Sequence, residues 1–398
     1  MTSSESSSRR AAALAITVLL VNAALPRGEA PPSVDGVVYE DANGNGRRDA
    51  SERGVAGIAV SDQYQVVRSG ADGAYRLAGP GTGVVFVSIP DGLGVTSRFW
   101  QPVTLASDGR VDFGVTPRQT PSEFSFIHAS DTHVSPQSVN RLRQMRDIVA
   151  TRRPDFVLVT GDLVRDALRV SEAEARGYYD LYVNEIAQFS VPVWSVPGNH
   201  ENFGIERHLS LVSSAHPLYG KGMYRQRLGP NYYSFSYGGV HFVGLDSVDI
   251  ADLWYYGHID DRQLAWLRAD LGAVAADMPV VTFNHIPFVS AVDMMGGYQD
   301  DGPAPTLIKL GDRTVFRHVV SNFKDVAAVL QARDWPLALG GHFHTRESIR
   351  YESPVRTRFE QTAAVVGPTT NVVPAISGVT LYRVKNRVID GGEFIRLQ

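Results

Sequence analysis

FSFIHASDTHVSPQSVNRLRQMRDIVATRRPDFVLVTGD, residues 124 to 162, decides the fold. Two largely apolar runs of strand length, FSFIHAS and DFVLVTGD, enclose SVNRLRQMRDIVATRR, which reads as an amphipathic helix. Runs that are apolar almost throughout, rather than at every second residue, predict strands covered on both faces. The pattern continues with SEAEARGYYDLYVNEIAQF as a second helix and VPVWSVPGN as a third strand. Such alternation predicts an α/β layered fold.

Ligands in α/β folds gather beyond the carboxyl ends of the strands. The first run ends in Asp131-Thr132-His133, the second in Gly161-Asp162 and the third in Gly198-Asn199-His200-Glu201. HFVGLDS is a fourth run with no usable group, PVVTFNHIPF delivers His285, and LALGGHFHTRES delivers His342 and His344. On a strand, residues two apart share a side, so both imidazoles of that last motif would project into one spot. Each motif alone is common, but five in this order, each at a strand end, are very hard to obtain by chance.

The chain has 398 residues, 43% hydrophobic and 20% charged, enough for two or three domains with sizeable cores. A formal net charge of -4 argues against nucleic-acid binding by bulk positive charge. The lack of cysteine removes thiol nucleophiles, disulfide scaffolds, zinc fingers and iron-sulfur clusters together. A metal site must then use His, Asp, Glu or Asn, a set suited to zinc, iron or manganese.

Residues 1–30 read as a signal peptide, with Arg9 and Arg10, an apolar run from Ala11 to Leu25, and Gly28-Glu29-Ala30 as cleavage site. The run of roughly 15 apolar residues falls short of the roughly 20 needed to span a bilayer, so no transmembrane segment is expected after removal. Ser8-Arg9-Arg10 loosely resembles a twin-arginine signal, and a periplasmic or secreted protein, exported by the general (Sec) or twin-arginine (Tat) route, is expected.

Residues 31–115 alternate in short runs (GVVYED, GIAVSD, GAYRLAG, GVVFVSIP) broken by Gly, Asp and Pro, which predicts a small all-β sandwich. Residues 116–122 read as a linker, and 123–398 as the α/β domain. Within the β region Asp41, Asn43, Asn45, Arg47, Asp49 and Glu52, with Gly46 at the sharp turn, have calcium-loop spacing. The flanks read as strand, so a helix-loop-helix hand is not expected, and either a calcium site or an ion-free turn fits. The stretch resembles the calcium-binding β repeats of bacterial surface proteins.

The set D-x-H, G-D, G-N-H-E, H and G-H-x-H, from residue 123 onward, resembles the calcineurin-like metallophosphoesterase superfamily. The resemblance implies a four-layer fold, two β-sheets flanked by helices, with two divalent transition metals (Mn, Fe or Zn) at the strand ends. It implies that Asp131, His133 and His344 hold one metal, that Asn199, His285 and His342 hold the other, and that Asp162 bridges them. His342 and His344 would then straddle the two metals instead of sharing one. His200 would protonate the leaving alkoxide. The chemistry agrees: dications roughly 3.5–4 Å apart need a shared anion, and a water held by both becomes a nucleophile toward phosphorus. The expected activity is metal-dependent hydrolysis of a small phosphoester, diester or monoester.

Departures narrow the resemblance. Gly161-Asp162-Leu163-Val164-Arg165-Asp166 lacks the G-D-x-x-D-R-G run of Ser/Thr protein phosphatases, and Arg165 stands where purple acid phosphatases carry a tyrosine ligand. SDTH, GDLV, PGNHE, NHIP and GHFHT look more like the bacterial cyclic-nucleotide phosphodiesterase-like branch. Lys221, Arg225 and Arg227, among tyrosines in residues 216–239, are candidate substrate-binding residues, or else solvated charges on a hairpin. Residues 290–313 are a candidate lid. DDRQLAWLRADL reads as a capped helix for packing, and GVTLYRVKNRVIDGGEFIRL as two strands completing the second sheet. The rival reading is a metal-stabilised surface binding or scaffold protein without turnover. His200 beside seven ligand candidates favours the enzyme, because a scaffold needs no general acid.

Overall fold

The computed structural model describes residues 33–103, 110–300, 305–353, 355–367 and 376–398; the export segment expected at residues 1–30 lies outside them. The three apolar runs form strands Glu123–Ala129, Phe156–Thr160 and Val193–Val196, paired in parallel. Phe156–Thr160 is buried at every residue, as a strand covered on both faces must be. Helices Val139–Arg152 and Glu172–Ile186 cover its outer side with Leu142, Met145, Val149, Ala175, Tyr179 and Tyr182.

A second sheet runs Tyr233–Tyr237, Val240–Gly244, Val280–Phe283, Leu337–Gly340, Thr357–Gln361, Glu347–Tyr351 in spatial order. Helices Asp261–Leu271 and Phe323–Leu330 pack on it. Asp260 caps the first of these, its carboxylate accepting from the Gln263 amide at 2.8 Å, a contact worth about 1 kcal/mol. Aromatic rings fill the space between the sheets: Phe126 meets Phe242 at 5.5 Å and Phe156 meets Phe235 at 5.5 Å, both edge to face. Helix, sheet, sheet, helix gives the four expected layers.

The carboxy-terminal strands correct one expectation. Gly378–Lys385 pairs antiparallel with Glu123–Ala129, so the tail completes the first sheet, not the second. Its alternating pattern specifies a strand but not a partner, which the register Thr380 to His128 supplies.

The amino-terminal region forms two four-stranded sheets. Strand Phe113–Pro117 carries on through Thr116 and Pro117, paired with Leu93–Val95, so the connection is shorter than the expected 116–122. The sandwich is not held by that connection alone. The Ser236 amide donates to the Ile89 carbonyl at 2.7 Å, Ser88 and Ser234 hydroxyls meet at 2.7 Å, and Trp266 Nε1 donates to Ser61 Oγ at 3.1 Å. Phe86, Val87 and Trp100 share a core with Tyr232 and Trp266, which seals the edge strand Tyr233–Tyr237 against exposure. The helix expected for packing alone therefore also carries the domain contact. No helix among the described residues is long and apolar enough to cross a membrane.

Candidate dimetal centre

Five loops at one edge of the paired sheets bring the predicted ligands together. Asp131, His133, Asp162 and His344 form one group and Asp162, His285 and His342 a second, the ligand atoms of each group lying within 4.8 Å of one another. Asp162 belongs to both, and Asn199 Oδ1 joins the second at 3.0 Å from His285 Nε2. His342 and His344 thus fall in different groups.

The backbone is bent hard to do this. Asp131, His133, Asp162, His342 and His344 all have positive φ, between 38° and 76°. Non-glycine residues seldom adopt this region, and each instance costs of order 1–3 kcal/mol. Five of the seven candidate ligands carry this strain. Gly340 and Gly341, although next to the histidines, do not make the bend: neither has positive φ. Gly341 is required by contact: a Cβ there would lie 1.9 Å from Ser130 Oγ and 2.8 Å from Asp131 Oδ2. At Gly198 a Cβ would strike Asp162 Oδ1 at 2.2 Å.

The donor set fits two cations. His285 Nδ1 donates to the Thr160 carbonyl at 2.8 Å, which leaves the Nε2 lone pair of the neutral ring facing the centre. That nitrogen then confronts Asp162 Oδ1 at 3.3 Å, Asn199 Oδ1 at 3.0 Å and His342 Nδ1 at 3.1 Å. Acceptors gathered around one point repel one another unless a proton or a metal cation sits among them. On the other side His133 Nε2 and His344 Nε2 are 3.1 Å apart, and the buried Asp131 Oδ1, 3.2 Å from His344 Nε2, finds no aligned donor. Burial, with His200 nearby, pushes His133 down to about 4, and burial with His318 and His285 holds His342 well below the usual range. Burial opposes charge at His285 too, but Asp162 pulls it up to about 9. The carboxylates of this centre demand positive charge.

Two residues without an expected role support the ligands. Both oxygens of the buried Glu201 carboxylate accept backbone amides: Leu163 at 2.8 Å and Val164 at 3.0 Å on Oε1, Gly198 at 2.6 Å on Oε2. Burial and Asp162 push this carboxyl up, and the amide donors on both oxygens pull the other way, toward the carboxylate. His318 Nδ1 lies 2.6 Å from His342 Nε2, which turns His342 Nδ1 toward the centre. Glu201 was readable as the last letter of GNHE; His318, in no motif, left no signal.

His200 stands apart from the ligands. Its Nδ1 is 2.6 Å from the Arg165 carbonyl oxygen and donates to it, so Nε2 points inward, 3.8 Å from Asp162 Oδ2. Its amide donates to Asp162 Oδ1 at 2.9 Å.

The structure does not bring Lys221, Arg225 and Arg227 to the centre. Lys221 pairs with buried Asp246 and donates to the Val248 carbonyl at 2.5 Å. Arg225 Nε donates to Asn231 Oδ1 at 2.8 Å, and Arg227 pairs with Asp180 at 2.8 Å. Arg225 and Arg227 lie on a short helix, Gly222–Leu228, that Lys221 precedes, and packing gives each of the three a polar partner from outside that helix. Asp246, at the end of the fourth run, is structural for the same reason. The candidate lid, of which residues 301–304 lie outside the described residues, ends in the first strand and turn of a hairpin, Leu307–Leu310 with Arg313–Phe316, whose second strand leads on toward His318.

In the β domain, the loop of calcium spacing closes on itself. Asp41 accepts the Asn45 and Gly46 amides at 3.1 and 2.7 Å, Glu52 accepts the Ala42 and Asp49 amides at 3.0 and 2.9 Å, and Asn43 Nδ2 donates to Asp49 at 2.7 Å. Asn45 Oδ1 accepts the Arg47 amide at 2.7 Å.

Residues 124–346, more than half of the chain, match the calcineurin-like phosphoesterase profile. The chain belongs to the calcineurin-like phosphoesterase family. Residues 42–118 match the N-terminal domain found with that family. The chain is 30% identical over 231 residues to a probable cyclic nucleotide phosphodiesterase of Rhodococcus erythropolis, a match covering 55% of this chain and 64% of the relative's length. A probable cyclic nucleotide phosphodiesterase of Fibrobacter succinogenes is 23% identical over 232 residues, covering 58% of this chain and 73% of its own. Among solved structures, a dimetal phosphatase from Danio rerio is similar at 16% identity and a TM-score of 0.46, over 69% of this chain and 99% of that one.

Proposed function

We propose that this phosphoesterase hydrolyses a small phosphodiester outside the cytoplasm, using two metals drawn from manganese, iron and zinc. The observation that carries the reading is the pairing of two ligand groups through Asp162 with a histidine, His200, that is not a ligand but faces the same point. When bound, the two metals would supply Lewis acidity toward the phosphoryl oxygens and acidify water.

The chain's own residues do the rest. Asp131, His133 and His344 would hold one ion, Asn199, His285 and His342 the other, and Asp162 both. His200, with Nδ1–H committed to the Arg165 carbonyl, has Nε2 available to carry a proton to the departing oxygen. The relatives' names support a diester in preference to a monoester. The signal-like residues 1–30 support export, and a substrate outside the cytoplasm follows from it.

The test is metal analysis of the purified protein together with hydrolysis of a bis-aryl phosphate beside an aryl monophosphate. About two transition metals per chain and cleavage of the diester are expected. Asp162→Asn should lose the second metal and the activity while keeping the fold. Fewer than two metals, with neither ester cleaved after manganese addition, would leave the scaffold reading standing. Export is tested separately by sequencing the amino terminus of protein recovered outside the cytoplasm.

A further inference from the structure

If His200 delivers the proton, the departing alcohol must lie within reach of its Nε2, and what lies beyond His200 selects that alcohol. This step rests on the proposed hydrolysis. Arg165 holds His200 from behind through its carbonyl oxygen. The Arg165 side chain lines a cleft of about 640 Å³ with Pro136, Gln137, Val170, Glu174 and Tyr178.

The walls of this cleft are the segments that leave the ligand motifs. The Arg165 amide donates to the Val134 carbonyl at 3.1 Å, next to the ligand His133, and Ser138 Oγ donates to the His133 carbonyl at 2.7 Å. The cleft therefore adjoins the Asp131–His133–His344 side of the centre, where the His200 and His133 rings meet at 4.5 Å.

Its charges are unevenly used. Glu174 accepts the Tyr178 hydroxyl at 2.6 Å. Asp166 pairs with Arg169 at 3.0 Å, and Arg169 also reaches Glu206 at 2.6 Å. Arg165 is exposed and has no ion pair with any described residue. The Tyr178 ring, its hydroxyl already committed, offers a flat wall beside Val170 and Pro136. A guanidinium without a carboxylate suits an incoming anion, and a flat wall suits a planar body.

We propose that the Arg165–Tyr178 cleft is the leaving-group subsite, and that it takes alcohols carrying an anionic group on a planar body. The favoured substrates are then phosphodiesters whose departing half bears a second negative charge.

The experiment compares two non-cleavable probes, 4-carboxybenzylphosphonate and 4-carbamoylbenzylphosphonate, by calorimetry on the metal-loaded protein. A surface ion pair is worth up to about 1 kcal/mol, so the carboxylate should bind up to about fivefold tighter. Arg165→Gln should erase the preference, and Tyr178→Ala should weaken both probes alike. The same ratio should appear in kcat/KM for the methyl phosphate diesters of 4-hydroxybenzoate and 4-hydroxybenzamide. Equal binding of both probes, binding of neither, or a preference that survives Arg165→Gln overturns the subsite. A binding preference without cleavage of either diester sustains the subsite and overturns hydrolysis instead.

Discussion

Glu201→Gln changes one atom of a side chain that touches no substrate, yet it should damage both fold and centre. In the native protein two oxygens accept three amides. Glutamine has one oxygen, and if that keeps Leu163 and Val164, its NH2 group meets the Gly198 N–H as donor against donor. An orphaned buried amide costs about 1–3 kcal/mol, and the two surviving bonds lose their charge assistance, about 1 kcal/mol each. Removing a buried negative charge beside Asp162 returns part of this, which leaves a net loss of about 3 kcal/mol. In a large domain that is a fall in Tm of about 5–10 °C. The amides belong to the loops that carry Asp162 and Asn199, so metal affinity should drop about 10–100-fold as well. Differential scanning calorimetry and metal titration against a competing chelator read the two effects. Wild-type Tm together with wild-type metal affinity would refute the idea that Glu201 ties the second and third loops together.

Further outcomes follow from other contacts. His318→Leu should weaken the second metal about tenfold through loss of its grip on His342 Nε2, with little change in Tm; an unaltered metal titration would count against that role. If the Asp41 loop binds calcium, calcium at 100 times its dissociation constant should stabilise the protein by about 2.7 kcal/mol, and Asp41→Ala should abolish the shift; an intact protein indifferent to calcium makes the loop a self-closed turn. Asp249, bonded to His258 at 3.0 Å and to Tyr256, is held down to about 2 against the opposing effect of burial, with Lys221 adding to the pull. A depressed carboxyl contributes stability above its unfolded value, lost as pH falls from about 4 toward 2; discounted for partial exposure this is about 1 kcal/mol. Asp249→Asn should therefore flatten the acid limb of Tm against pH, and an identical limb in both proteins would exclude the linkage.

The candidate ligand residues were legible because each sits where an apolar run stops, and apolar runs are the strongest local signal a sequence carries. Asp131, Asp162, Asn199, His285 and His342 could be found this way without knowing how the strands pair. Lys221, Arg225 and Arg227 misled for the opposite reason. A cation's sequence neighbours say nothing about which carboxylate reaches it, and Asp246 and Asp180 lie in other elements. His318 and the edge-strand docking of the β domain escaped because both depend on surfaces that meet only after folding.

By itself the sequence determined the alternation of strands and helices, the residue types at the strand ends and the lack of thiol chemistry. These follow from periodicity and composition, properties of neighbouring residues. Tertiary structure alone decided that the tail joins Glu123–Ala129, that the bend at GGHFH falls on the histidines while Gly341 makes room for Ser130, and that His200 faces inward. Each of these depends on which distant backbone comes within a few ångströms, and no local propensity encodes that.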